Sequence, residues 1–190
     1  MENATIRLLD FTFALIGLLL ALPLLAIIYI IGLADTGSPI FAQSRVGLNE
    51  RPFTLLKFRT MAVNTASVGS HLVDSSAVTR FGSFLRRTKL DELPQLVNVM
   101  FGEMSLVGPR PCLENQLELI KERAARGVFS VRPGITGLAQ IREIDMSTPR
   151  KLSRYDQLMI RKMNLSMYLC LIAKTITGKG QGDRVRSVGH

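Results

Sequence analysis

Two adjacent carboxylates, Asp91 and Glu92, stand in the run Arg86-Arg87-Thr88-Lys89-Leu90-Asp91-Glu92-Leu93-Pro94-Gln95-Leu96. Paired acids are common on solvated helix faces, but three features of this run argue for chemistry. Pro94 has no amide hydrogen and fits only the first turn of a helix, which places Asp91 near the N-cap. A rival reading makes Thr88 the cap, but Pro94 would then break the helix that Thr88 caps. The helix N-terminus and Arg86, Arg87 and Lys89 surround the pair with positive potential, which keeps the carboxylates ionised and attracts phosphate. Neighbouring side chains on a helix point about 100° apart, so the two acids suit different jobs. One carboxylate can attack phosphorus to give an acyl phosphate. The other can hold Mg²⁺, which offsets the repulsion between an anionic nucleophile and a diphosphate.

The chain around this pair has 190 residues, 47% of them apolar and 21% charged, which suits one domain plus an appendage and excludes a disordered protein. Cys112 and Cys170 are too few for a disulfide scaffold or a Cys-based zinc cluster, and His71 and His190 too few for a His-rich metal site. The net charge of +9 calls for an anionic partner: nucleic acid, phospholipid headgroups or a phosphorylated substrate. Nucleic acid is disfavoured, because aromatic residues are 6% of the chain, Trp is absent and the basic residues cluster around Gly/Pro loops instead of alternating with stacking side chains.

Phe11 to Ala34 carries no charge and is long enough to cross a bilayer core as a helix. It is too long, and its leading segment too acidic, for a cleaved signal peptide. Pro23 sits mid-run and predicts a kink. Sequence physics alone leaves open whether the kinked helix spans the membrane or turns back, with spanning the more common case. Residues 1–35 carry −2, so the remainder carries +11 against +9 for the whole chain. A basic flank after an apolar segment places the globular part in the cytoplasm, against anionic headgroups.

The expected organisation is a mixed α/β, helix-dominated fold: a membrane helix over 1–35, a catalytic domain over 36–178 with short strands, and a flexible tail over 179–190. Strands are predicted at Phe41–Arg45, Arg51–Met61 and Met104–Val107. Helices are predicted at Thr79–Arg87, Glu92–Phe101 (stopped by Gly102), Leu113–Arg126, Pro149–Met163 and Leu165–Thr177. Ala62–Ala77 is a Ser-rich loop with room for a short helix, and Arg132–Gly137 reads as a loop of tight turns.

Five stretches then carry a resemblance: Phe41-Ala42-Gln43-Ser44-Arg45-Val46-Gly47, Lys57-Phe58-Arg59-Thr60-Met61, Leu90-Asp91-Glu92-Leu93-Pro94-Gln95, Met104-Ser105-Leu106-Val107-Gly108-Pro109-Arg110-Pro111, and Arg132-Pro133-Gly134-Ile135-Thr136-Gly137-Leu138-Ala139-Gln140. In this order and spacing the chain resembles the bacterial sugar transferases, and among them the small monotopic phosphoglycosyl transferases. Each motif alone is weak; together they are specific and cover nearly the whole chain. The resemblance implies transfer of a phosphosugar from a UDP-sugar to undecaprenyl phosphate, with release of UMP and a need for Mg²⁺. It implies that Asp91 is the nucleophile of a covalent intermediate and that Glu92 belongs to the metal site. It links Arg86 and Arg110 to phosphate or active-site contacts, with Lys57 and Arg59 as weaker candidates whose alternative is headgroup contact or a surface pair. It assigns Pro133, Gly134, Thr136, Gly137 and Gln140 to a nucleotide-side loop, whose alternative is a structural turn. It also implies a first helix that re-enters, broken at Pro23, with both ends on the cytoplasmic face of the bacterial inner membrane and membrane lipids as partners.

The chain departs from the family pattern in three places. Leu22-Pro23 lacks the serine that helps such a break. Gln157-Leu158-Met159-Ile160 and Leu169-Cys170-Leu171 replace an aromatic pair and a Leu-Asp-Leu. Ile144–Pro149 replaces a Gly-rich stretch, where sugar selection is suspected. The sugar, homo-oligomerisation and a hydrolytic variant that passes the phosphosugar to water are left open.

Overall fold

The charge-free run becomes one long helix, α1 (Ala4–Thr36), of 33 residues with Pro23 inside it, in the computed structural model, which describes residues 4–63, 65 and 77–177. Its apolar side chains are its most exposed: Leu20 is 77% exposed, and Leu19, Leu22, Ile27 and Ile30 are open as well. Only one narrow face is covered. Ala14 packs in a cluster with Leu55, Val99 and Met104, and Ile28 in another with Phe58 and Leu85. Both halves of α1 therefore rest on the same globular body.

That body begins with an antiparallel hairpin, β1 (Ile40–Val46) and β2 (Pro52–Phe58), in register from Ile40↔Phe58 to Val46↔Pro52. The turn between them is a 3-10 turn, Leu48–Glu50, with Asn49 and Glu50 at positive φ. Helix α2 (Arg80–Thr88) starts where Thr79 accepts a hydrogen bond from the Gly82 amide. Its close seat on the chain after β2 explains Gly82: a Cβ there would lie 2.1 Å from the Thr60 carbonyl oxygen. Helix α3 (Gln95–Phe101) ends at Gly102, whose φ of 81° gives the left-handed cap the sequence predicts.

Strand β3 (Ser105–Val107) pairs in parallel with β4 (Gly134–Thr136), Ser105 opposite Gly134 and Val107 opposite Thr136. The sequence reading of residues 132–137 as a loop is corrected here. Three residues show no period, yet Gly108 N–H donates to the Thr136 carbonyl and Ser105 N–H to the Pro133 carbonyl, which makes the segment a strand edge. Helix α4 (Leu117–Ala124) fills the crossover and starts later than the predicted Leu113, because the Gln116 side chain takes the Leu113 amide in a turn of its own. A short α5 (Leu138–Ile141), α6 (Pro149–Lys162) and α7 (Leu165–Ile176) complete the order. Pro149 opens α6 as its missing amide allows, and the Asn164 side chain caps α7. The result is a helix-dominated mixed α/β fold. Most of the predicted Ser-rich loop (64 and 66–76) and the tail over 179–190 lie outside the described residues.

Candidate active site

Asp91 and Glu92 sit on a 3-10 turn, Leu90–Glu92, wedged between α2 and α3. The chain enters it through Lys89, a non-glycine residue at φ 59°, whose amide donates to the Arg86 carbonyl and closes α2. Asp91 is therefore not beside the N-cap of a helix starting at Glu92, as the sequence predicts. Pro94 itself occupies the cap position, and α3 starts at Gln95. The cause is Pro94: with no amide it cannot bond the Leu90 carbonyl in α-helical fashion, and Leu93 N–H takes that carbonyl in a tighter turn. Three residues per turn put neighbouring side chains about 120° apart, so the two acids still point in different directions.

Both acids are buried, Asp91 at 5% exposure and Glu92 at 8%. A solvated pair on a helix face is thereby excluded, since carboxylates are buried only when something compensates them. For Glu92 that partner is Arg110, whose Nη2 lies 2.8 Å from Oε1. Arg110 projects from the Pro109–Pro111 loop that follows β3.

Arg86 lies one turn before the pair and donates from Nε to the Thr60 hydroxyl at 2.8 Å. Lys57 is buried on β2, which packs against the 3-10 turn, and its ammonium lies 5.6 Å from the centroid of the Phe41 ring opposite it. Arg59 lies over the same ring but donates to the Ser38 and Ile40 carbonyls, so its visible work is to hold the start of β1.

Pro133, Gly134, Thr136 and Gly137 run alongside the Gly108–Pro109 segment, and Gln140 follows on α5. A Cβ on Gly134 would fall 1.9 Å from the Gly108 nitrogen, and one on Gly137 2.5 Å from the Gly108 oxygen. Thr136 pairs with Thr175 through their hydroxyls, and the Gln140 amide donates to the Ile135 carbonyl. The structure thus brings Arg110 onto Glu92, places Arg86 and Lys57 on the elements flanking the acids, and gives the glycine motif a backbone-packing role beside Arg110.

No group of three His, Cys, Asp or Glu side chains able to hold a metal occurs among the described residues. Two adjacent carboxylates do fit Mg²⁺, which takes one or two protein oxygens and completes its shell with substrate phosphate and water. They do not fit zinc, which wants three or four closely placed N or S ligands. Arg110 engages Oε1 of Glu92, so a cation held here would take Oε2.

Sequence reasoning missed two buried charged groups. Asp10 accepts from the Tyr168 hydroxyl at 2.8 Å, the Leu106 amide at 2.8 Å and the Ser105 hydroxyl at 3.0 Å, while Arg7 donates to the Val99 and Met104 carbonyls. Together they pin the start of α1 to β3, α3 and α7, and burial beside Asp10 pushes the Tyr168 hydroxyl far above the usual range. Their i, i+3 spacing beside the apolar run was the available signal. The second group is the Arg123–Asp156 pair between α4 and α6. Arg123 falls four residues after the buried Leu119, on the same helix face, and that is a position where an unpaired Arg is not tolerated.

The chain matches the family described as bacterial sugar transferase over residues 1–180, and it belongs to that family. It is 52% identical over 106 residues to the uncharacterized sugar transferase EpsL of Bacillus subtilis, covering 55% of this chain and 52% of that protein. It is 38% identical over 194 residues to the UDP-galactose-lipid carrier transferase of Erwinia amylovora, covering 90% of this chain and 40% of that protein. It is 39% identical over 145 residues to a putative undecaprenyl-phosphate N-acetylgalactosaminyl 1-phosphate transferase of Bacillus subtilis, covering 71% of this chain and 81% of that protein. The matched regions span about half of the first relative and less than half of the second.

Proposed function

We propose that this chain is a membrane-bound phosphoglycosyl transferase, moving a sugar phosphate from a UDP-sugar to undecaprenyl phosphate and releasing UMP, at the first membrane step of a bacterial glycoconjugate. The observation that carries it is the pair of buried adjacent carboxylates, with Glu92 held by Arg110 at 2.8 Å. The names of two relatives point the same way, to a UDP-sugar donor in one and an undecaprenyl-phosphate acceptor in the other.

The Asp91 carboxylate attacks the sugar-bearing phosphorus of the donor. An aspartyl oxygen–phosphorus bond forms, the bond to the bridging oxygen breaks, and UMP leaves with that electron pair. An oxygen of the lipid phosphate then attacks the same phosphorus, the aspartyl bond breaks, and the carboxylate is restored. Glu92, Arg110 and Arg86 provide a fixed electrostatic frame around the transferring phosphate, with little reorganisation at the moment of reaction. Glu92 would hold a Mg²⁺ ion, which would neutralise phosphate charge when bound.

Helix α1 lies in the membrane and leaves by the face it entered, bent at Pro23, with the basic domain on the cytoplasmic side of the inner membrane. The support is that Arg7 and Asp10 at one end, and Ile28 and Leu25 towards the other, are all held by one globular body. A helix crossing the bilayer would carry one of those ends away from it. The reading is tested by UMP release from a panel of UDP-sugars with undecaprenyl phosphate and Mg²⁺. Turnover is expected with at least one donor, and Asp91→Asn is expected to lose about 10⁴-fold or more while keeping its melting profile. Wild-type turnover in Asp91→Asn contradicts the assignment.

A further inference from the structure

Arg123 is the bulkiest fully buried side chain among the described residues, 1% exposed, and it faces an equally buried Asp156. Its Nε and Nη2 lie 3.0 and 2.8 Å from Asp156 Oδ2. Its Nη1 donates to the backbone carbonyl of Arg110 at 2.8 Å. On the other side of the loop, Arg45 donates from Nη1 to the Pro111 carbonyl at 3.2 Å and from Nη2 to Gln43 Oε1 at 2.6 Å. The flanking Pro109 and Pro111 have no amide hydrogens, so the loop cannot zip into regular structure and relies on donors brought to its carbonyls. Two buried guanidiniums from different elements supply those at Arg110 and Pro111, and the Gly134 amide supplies the one at Pro109.

Stability alone does not account for the pair. Desolvating an Arg and an Asp is costly, and well-packed apolar residues in the same space are often neutral or better. What an apolar residue cannot do is aim a charged donor at the carbonyl of Arg110. Burial pushes the Asp156 carboxyl up and the Arg123 guanidinium offsets part of that rise, so the contact with Arg123 is what favours its charged form.

We infer that the Arg123–Asp156 pair is a positioning device: it fixes the Arg110 backbone so that the guanidinium meets Glu92, and it influences phosphosugar transfer through Arg110. This rests on the proposed function above, because it takes Glu92 and Arg110 as parts of the working site.

The test uses the full chain in detergent or nanodiscs. Removing one partner alone leaves a buried charge and risks unfolding, so the pair is replaced together, Arg123→Met with Asp156→Leu. Folding is followed by thermal melting, and loop order by hydrogen exchange at the Gly134 and Val46 amides, which donate to the Pro109 and Cys112 carbonyls. The expected results are a melting point close to wild type, faster exchange at those two amides, and a loss of about tenfold to a hundredfold in kcat with KM for the donor moved less. Arg110→Ala is expected to lose activity as well, and the triple variant to be no worse than Arg110→Ala alone, since both lesions act at one point. Multiplying losses, or wild-type kcat in the apolar pair, would overturn the inference. If the apolar pair fails to fold, Arg123→Lys with Asp156 retained takes its place. That variant keeps the charge and removes the reach to the Arg110 carbonyl, and the same non-additivity with Arg110→Ala is expected of it. Wild-type activity in Arg110→Ala sinks the inference while leaving Asp91 as nucleophile, whereas loss of the Asp91 adduct from wild type sinks the underlying function.

Discussion

At the level of single residues, Glu92 has a defined partner. Glu92 is tied to a guanidinium through one oxygen, which suits a fixed ligand better than a nucleophile that must move onto phosphorus. Glu92→Gln keeps an oxygen for Arg110 and loses the charge that a cation needs. It is expected to fold normally and to require about tenfold to a hundredfold more Mg²⁺ for half-maximal transfer, read from a magnesium titration of UMP release. An unchanged magnesium requirement would remove Glu92 from the metal site. The acids themselves were legible in the sequence, because Pro94 and the flanking basic residues mark the run. Their local geometry was not: the choice between an α-helical first turn and a 3-10 turn is decided by one missing amide and by Lys89 at positive φ.

At the scale of elements, the short parallel pair β3–β4 sets the path of the Arg110 loop. Gly134 has no room for a methyl group beside Gly108, whereas Gly127, at φ 67°, has nothing within 4 Å of its Cβ position. Gly134→Ala is therefore expected to destabilise the fold by about 3 kcal/mol, the upper end of overpacking costs, and to lower transfer with it. Gly127→Ala carries only the left-handed strain, about 1–2 kcal/mol, and keeps its activity. Chemical denaturation of the two variants ranks them; equal stability would contradict the close-packed reading of the glycine motif. Helix termini were largely readable, as Gly102, Pro149 and Asn164 show, because caps are local chemistry. Strand β4 and the delayed start of α4 were not, because each depends on partners distant in sequence or on one side chain, Gln116, competing for an amide.

At the scale of the whole molecule, an apolar helix is gripped near both ends by a domain of net positive charge. Cysteines placed at the exposed positions Thr5 and Ala34 are expected to react with an impermeant maleimide from the same side of the membrane, in inverted vesicles and not in intact spheroplasts. The background needs only Cys170 removed, since Cys112 is buried and burial pushes its thiol up, away from the reactive thiolate. Labelling of the two ends from opposite sides would show a spanning helix. The central claim is chemical, and one measurement meets it directly: intact-protein mass spectrometry of the enzyme incubated with its UDP-sugar donor and Mg²⁺, without lipid acceptor. A gain equal to one phosphosugar is expected, located on Asp91, released when undecaprenyl phosphate is added and absent in Asp91→Asn. A protein that turns over donor and acceptor together but never carries that mass would contradict it.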